Sequence, residues 1–249
     1  MKHLLSAILF AGASFSPVVV FCQAKDPFRN IPVICYHQVR DWKPADSKFS
    51  RIYIVPVNTF AAQIKALKDN DFHPILPDQV LGKRMVPSKP LIITFDDGTE
   101  GQYTDAKPVL EKYGFKAVYF IMTVTLGKPG YLSAAQIREL SGKGNTIGCH
   151  TWNHKRVTSY TTTDWNEQLV KPMETLKSIT GKIPRYFAYP YGLWNRNAIE
   201  QLKKYNYIAA FRLSGSSDAL EPSYTVKRII VDGNWNAAQL IKALNSYKN

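Results

Sequence analysis

Two parts of this chain hold residues that could do chemistry together. Asp96 and Asp97 stand side by side after the apolar run Leu91-Ile92-Ile93 and just before Gly98, and His150 and His154 are four residues apart. Adjacent carboxylates at a strand end resist ionising together, because each charge raises the cost of the other. A cation removes the conflict: one aspartate can bind it beside two neutral imidazoles, leaving the other free as a base. Either feature alone has a plainer explanation, since Asp-Gly is a common turn pair and most histidines at this spacing are surface or core residues. Found together at strand ends of one chain, they point to a metal-dependent hydrolase.

Such residues need elements that bring them together. The runs 31–36, 91–95, 116–122, 145–149, 185–189, 207–211 and 225–231 read as strands. Helical spacing fills the intervals. Asn58 can cap a helix with Phe60, Ile64 and Leu67 on one face, and 105–113 reads as a second helix, despite Pro108. Ser133 starts a third, carrying Ile137 and Leu140. Helices over 163–180, 195–204 and 237–244 complete the alternation, and 41–56 follows neither period and reads as a long loop over one rim. The pattern predicts an α/β fold, a (β/α) barrel of about seven parallel strands that need not be complete. In such a barrel His37, Asp96-Asp97, His150 and Pro190-Tyr191-Gly192 all follow strands and converge on the C-terminal rim.

Met1-Lys2-His3, the apolar stretch 4–21 and Cys22-Gln23-Ala24 read as a signal peptide over 1–24, cleaved after Ala24, with an uncleaved anchor or lipidation of Cys22 as alternatives. Residues 25–249 then form one exported catalytic domain, periplasmic, envelope-associated or secreted, with no transmembrane domain after signal removal. Cys35 and Cys149 could pair in an oxidising compartment, but both fall in apolar strands, where burial as free thiols is expected. The formal net charge is +13, spread in small groups such as Lys83-Arg84, Lys203-Lys204 and Lys227-Arg228. A nucleic-acid binder would show a basic stripe or a reading motif; this distribution suits an anionic envelope surface or solubility. No Gly-x-Ser-x-Gly elbow supports a serine hydrolase.

Thr94-Phe95-Asp96-Asp97-Gly98, then His150-Thr151-Trp152-Asn153-His154, then Arg185 through Pro190-Tyr191-Gly192, resemble the successive motifs of the polysaccharide deacetylases. This is carbohydrate esterase family 4, whose NodB-like catalytic domain also occurs in rhizobial chitooligosaccharide deacetylases. The resemblance runs from about residue 31 onward. It implies a distorted (β/α) barrel that removes acetyl groups from N-acetylated sugars with a divalent ion, usually Zn2+, with Co2+ or Ni2+ as alternatives. It further implies that Asp97, His150 and His154 hold the metal, that Asp96 is the general base, and that Arg185 keeps that base ionised. A backbone N–H at Tyr191 would stabilise the oxyanion.

The departing amine needs a proton. Many family members use a late histidine, but none of the five histidines here follows His154. His3 lies in the signal, and His73 precedes a strand, on the wrong rim. His37, after the first strand, places the chain nearest the permuted subgroup that includes poly-β-1,6-N-acetylglucosamine deacetylases. Asp232 and Trp235 loosely match a late family motif in which an aspartate tunes the catalytic histidine and a tryptophan lines the groove, although an Asp-Gly turn explains Asp232 almost as well. Trp152, Tyr189, Pro190 and Trp194 are further candidates for substrate contact. The expected substrate is an acetylated glycan, poly-β-1,6-N-acetylglucosamine favoured over peptidoglycan or chitooligosaccharides. A non-catalytic carbohydrate-binding protein should have lost one of these residues, and none is missing.

Overall fold

The computed structural model describes residues 25–82 and 85–247; the expected signal peptide lies outside the described residues. The chain runs β1 (Val33–Tyr36), β2 (Gln38–Val39), α1 (Lys48–Arg51), β3 (Ile54–Val55), α2 (Val57–Asp69), β4 (His73–Pro74), α3 (Pro77–Leu81) and β5 (Pro90–Phe95). It continues through α4 (Lys107–Lys112), β6 (Val118–Ile121), α5 (Ala134–Gly142), β7 (Thr146–Cys149), α6 (Lys171–Thr180) and β8 (Tyr186–Ala188). The last elements are α7 (Arg196–Lys204), β9 (Ala209–Arg212), β10 (Val226–Lys227), β11 (Ile229–Ile230) and α8 (Ala237–Asn245). No helix among the described residues is long and apolar enough to cross a membrane.

The main sheet is parallel in the order β10-β9-β8-β7-β6-β5-β1-β11, and β4 adds to the start of β5. The two ends of that order are one stretch of chain. Val226 and Lys227 pair with Phe211 and Arg212 of β9, whereas Ile229 and Ile230 pair with Ile34 and Cys35 of β1. The single residue between them, Arg228, is where the strand changes partner, and its N–H donates to the Arg212 carbonyl at 3.0 Å. A short crossed strand thus closes the sheet into a distorted barrel. The expected strand over 225–231 is therefore present but split. The region 41–56 is not a plain loop: it contains α1 and β3, and β3 pairs in parallel with β2. Helix α2 also begins one residue before Asn58, with Pro56 at its cap.

Strand side chains alternate between two cores. Ile92, Val118, Phe120, Tyr186, Ala188, Ala209, Phe211 and Val226 fill the barrel interior, while Ile34, Tyr36, Ile93, Phe95, Tyr119, Phe187 and Tyr189 pack outward under the helices. Cys35 and Cys149 are buried and free. Gly148 falls at an interior position of β7, where an added Cβ would lie 2.5 Å from the Phe120 ring. That ring also lies under the Arg228 guanidinium, at 5.4 Å from its centroid. Gly148→Ala should therefore cost about 1–3 kcal/mol through overpacking, read as a lowered midpoint in denaturant unfolding; an unchanged midpoint would refute this account of the interior.

Candidate active site

The site lies at the C-terminal ends of the strands. Asp96 has the same interior phase as Ile92 and Thr94, so its side chain enters the top of the barrel and is 1% exposed. Asp97 follows with φ 72°, Thr151 and His154 have φ 68° and 64°, and Tyr191 has φ 60°. Left-handed backbone at non-glycine residues costs of order 1–3 kcal/mol each and persists only where the surroundings enforce it. Here four such residues stand on one rim. Part of the enforcement is local: Thr151 Oγ1 accepts the His154 N–H at 2.9 Å.

The left-handed turns aim Asp97, His150 and His154 at one point, their donor atoms all lying within 4.8 Å of one another. Asp97 Oδ1 is 3.5 Å from His150 Nε2 and 3.7 Å from His154 Nε2. Donors about 2.0–2.1 Å from a tetrahedral ion stand about 3.4 Å apart, close to these separations. The tautomer also suits a cation. His150 Nδ1 lies 2.8 Å from the Ala188 carbonyl; a carbonyl only accepts, so Nδ1 donates and Nε2 of the neutral ring offers its lone pair to the cluster. Burial alone would lower the His150 pKa, yet Asp96 and Asp97 raise it. His154, pushed down to about 4 chiefly by burial, stays neutral. The residues present suit a divalent ion.

Arg228, not Arg185, holds Asp96. Its Nη1 and Nη2 donate to Asp96 Oδ1 and Oδ2 at 2.6 and 2.8 Å, in a pair closed to solvent on both sides. Burial would push the Asp96 carboxyl up, but Arg228, with His150 and His37, holds it well below the usual carboxylate range. Arg185 precedes the first residue of β8 and is exposed, beside Lys182, Pro184 and Asp78 at the opposite rim. Side-chain alternation explains the error: Tyr186 and Ala188 face the interior, so Arg185 is out of phase as well as at the wrong end. A signal for Arg228 was present, since an arginine beside Lys227 at the start of the apolar run Ile229-Ile230-Val231 must find a counter-charge when buried.

His37 Nε2 is 4.0 Å from Asp96 Oδ2. Behind the ring, Cys35 Sγ is 3.9 Å from Nδ1, and the Tyr53 ring packs edge-on at 5.0 Å. Burial lowers the His37 pKa, helped by Arg228 and His150 and opposed by Asp96 and Asp97. Asp232, the expected tuning carboxylate, instead accepts from the backbone and side chain of Asn234 at 2.8 and 2.7 Å, forming a local turn. Gln102 gave no sequence signal. Its buried amide donates to the carbonyls of both His37 and Asp96, at 2.8 and 2.6 Å, tying the two strand ends together.

The expected substrate contacts divide. Tyr189 lies in the outward core, its hydroxyl donating to the Tyr224 carbonyl at 3.0 Å, so it cannot meet a ligand; Pro190 is likewise buried. Trp194 is half-buried against the outer core. Trp152 borders a surface cleft with Thr123, Glu167, Lys171 and Thr175, apart from the Asp97 cluster. Trp235 is half-buried, its carbonyl accepting from Gln63 at 2.8 Å. Tyr191 does border the cluster: its ring, half exposed, packs on His154 at 4.5 Å and under the Arg156 guanidinium at 4.7 Å.

A model of the polysaccharide deacetylase family matches residues 83–210, just over half of the chain. The chain belongs to the polysaccharide deacetylase family. It is 25% identical over 223 residues to YxkH of Bacillus subtilis, whose name places it among the polysaccharide deacetylases, with 88% of this chain and 77% of that protein covered. It is also 25% identical over 258 residues to the poly-beta-1,6-N-acetyl-D-glucosamine N-deacetylase of Escherichia coli K12, covering 84% of this chain but only 37% of that protein's length. The deacetylase PplD of Streptococcus pyogenes, solved with acetate, has the same fold, with a TM-score of 0.78, 22% identity, and 86% and 97% of the two chains covered. The span matched by the family model contains Asp96, Asp97, His150, His154 and Tyr191, but neither His37 nor Arg228.

Because the Arg228–Asp96 pair is fully buried, breaking it should cost about 3–5 kcal/mol. Arg228→Met should lower stability by that order in denaturant unfolding and abolish turnover, whereas Arg185→Met should change neither. Adding Asp96→Asn to Arg228→Met should recover much of the stability and none of the turnover. A destabilising Arg185→Met beside a silent Arg228→Met would reverse the assignment.

Proposed function

We propose that the chain is an exported, metal-dependent hydrolase that removes N-acetyl groups from an N-acetylglucosamine-containing polysaccharide, with poly-β-1,6-N-acetylglucosamine favoured. The observation that carries this reading is the double constellation on one rim: the Asp97-His150-His154 cluster, and beside it Asp96, held by Arg228 and 4.0 Å from His37. Asp97 Oδ1, His150 Nε2 and His154 Nε2 would hold the ion. A divalent ion there supplies a Lewis acid for the acetamide carbonyl and acidifies water.

The chain's own groups supply the proton transfers. Asp96 takes a proton from the attacking water as the C–O bond forms. His37 Nε2, once it has received that proton, gives it to the amine as the C–N bond breaks. Arg228 makes Asp96 a weak base, so a proton placed there is readily passed on, and His37 Nε2, at 4.0 Å, is the group to receive it. Delivery to the amine returns both groups to their starting states. The left-handed Tyr191 sets its backbone N–H as the oxyanion donor, while its half-exposed ring walls the site beside His154.

The 25% identity to the Escherichia coli enzyme supports the favoured substrate, and it comes with His37 placed after the first strand. Peptidoglycan and chitooligosaccharides are the alternatives. Export rests on the sequence of residues 1–24.

Acetate release from a panel of acetylated glycans should stop on chelation and return with Zn2+ or Co2+. His150→Ala should lose the stoichiometric metal; metal retained at full occupancy would overturn the ligand set. Asp96→Asn and His37→Ala should keep the metal and lose about 10²–10⁴ in kcat. Near-normal turnover in either would remove that residue from the mechanism.

A further inference from the structure

A cavity of about 380 Å³ lies on the same rim, beyond β3, between the start of α2 and the start of α8. Its lining is unusual for a chain of net charge +13: it contains no charged residue. Trp42, Asn58, Thr59, Asn234, Trp235 and Asn236 form it, completed by glycine and alanine. Arg51 covers the Trp42 ring at 4.7 Å but does not border the cavity, so another part of that ring meets it. The indole N–H of Trp42 is already used, donating to the Ile54 carbonyl at 2.8 Å. Trp42 is therefore fixed, 37% exposed, and free to offer only its apolar surface. By contrast, the side chains of Asn58, Thr59 and Trp235 make no hydrogen bond among the described residues.

A fixed apolar ring beside neutral, unpaired donors and acceptors suits one chemical class. A pyranose presents C–H-rich faces that pack on aromatic rings, and hydroxyl and acetamido groups that both donate and accept. No charged side chain lines the cavity to pair with an anion or cation, and a purely apolar ligand would strand the amides. The position fits a longer glycan. Ile54, which anchors Trp42, is the neighbour of Tyr53, whose ring packs on His37 at 5.0 Å. The cavity and the proposed acid histidine thus flank the same short strand. Gly233 keeps the two loops in contact: an added Cβ would lie 2.0 Å from the Ile54 carbonyl.

We propose that this cavity is a remote subsite for an uncharged, still acetylated hexosamine unit of the glycan chain, occupied while another unit of that chain lies at Asp97, His150 and His154. This rests on the deacetylase reading above. It makes the protein a reader of chain length: a glycan long enough to reach both places binds more tightly than a short one. Because the lining is neutral, the gain owes nothing to the positive charge of the chain and does not vanish with salt.

The test uses the metal-loaded protein with N-acetylglucosamine dimers and pentamers. Wild type should show at least a tenfold higher kcat/KM on the pentamer, and pentamer binding, followed by tryptophan fluorescence, should change less than twofold between 50 and 500 mM NaCl. Trp42→Ala should reduce the pentamer-to-dimer ratio at least fivefold. Ala62→Arg, on the exposed face of α2 where arginine is a good helix former, should do the same by filling the cavity without disturbing the fold. Equal kcat/KM for the two lengths in wild type, or a ratio retained in both variants, would overturn the subsite. Failure of the deacetylase reading looks different: no acetate from either length, with the fluorescence response to pentamer still present and lost in Ala62→Arg.

Discussion

One buried ion pair organises this molecule. Asp96 sits at the top of the barrel interior, where an unpaired carboxylate would be strongly disfavoured. Its partner comes from the strand that closes the barrel. Arg228 is the residue at which the last strand leaves β9 and joins β1, so the barrel's seam and the counter-charge of its central carboxylate are the same residue. The packing beneath follows from it. Phe120 supports the guanidinium, and Gly148 gives up its side chain to leave room for that ring.

The same pair divides the aspartate doublet. With both oxygens of Asp96 gripped by Arg228, Asp97 is turned away through a left-handed backbone toward His150 and His154. The two adjacent carboxylates are thereby directed to different partners, Asp96 to the Arg228 guanidinium and Asp97 to the two imidazoles, which eases the repulsion that makes such a doublet unfavourable. Gln102 adds a mechanical tie by binding the carbonyls on which Asp96 and His37 ride. Four strained rim residues are the cost of pointing so many short side chains at one place.

What could be read in advance follows the range of the physics involved. The strands announced themselves through local apolar runs, and the fold class through their alternation with helices. Asp96, Asp97, His150 and His154 were legible because their motifs are short and lie directly after strands. The segment 41–56 was not, since a four-residue helix and a two-residue strand are too short to show a period. Tyr189 is hidden for a related reason: next to Pro190 it reads as part of a site motif, but its phase in the strand sends it to the outer core.

By itself, then, the sequence determined the parts: the parallel barrel, the rim on which its chemistry sits, the Asp97-His150-His154 set, and the family those motifs carry. Tertiary structure decided the partners. Arg185 and Arg228 are equally good arginines on paper. The choice between them depends on strand phase and on which end of the barrel each occupies, and the one that serves Asp96 lies 132 residues away. The same holds for the thiol of Cys35, rather than the Asp232 carboxylate, behind His37. Local sequence sets backbone period, but a contact between distant strands is fixed only when the closed sheet sets their register.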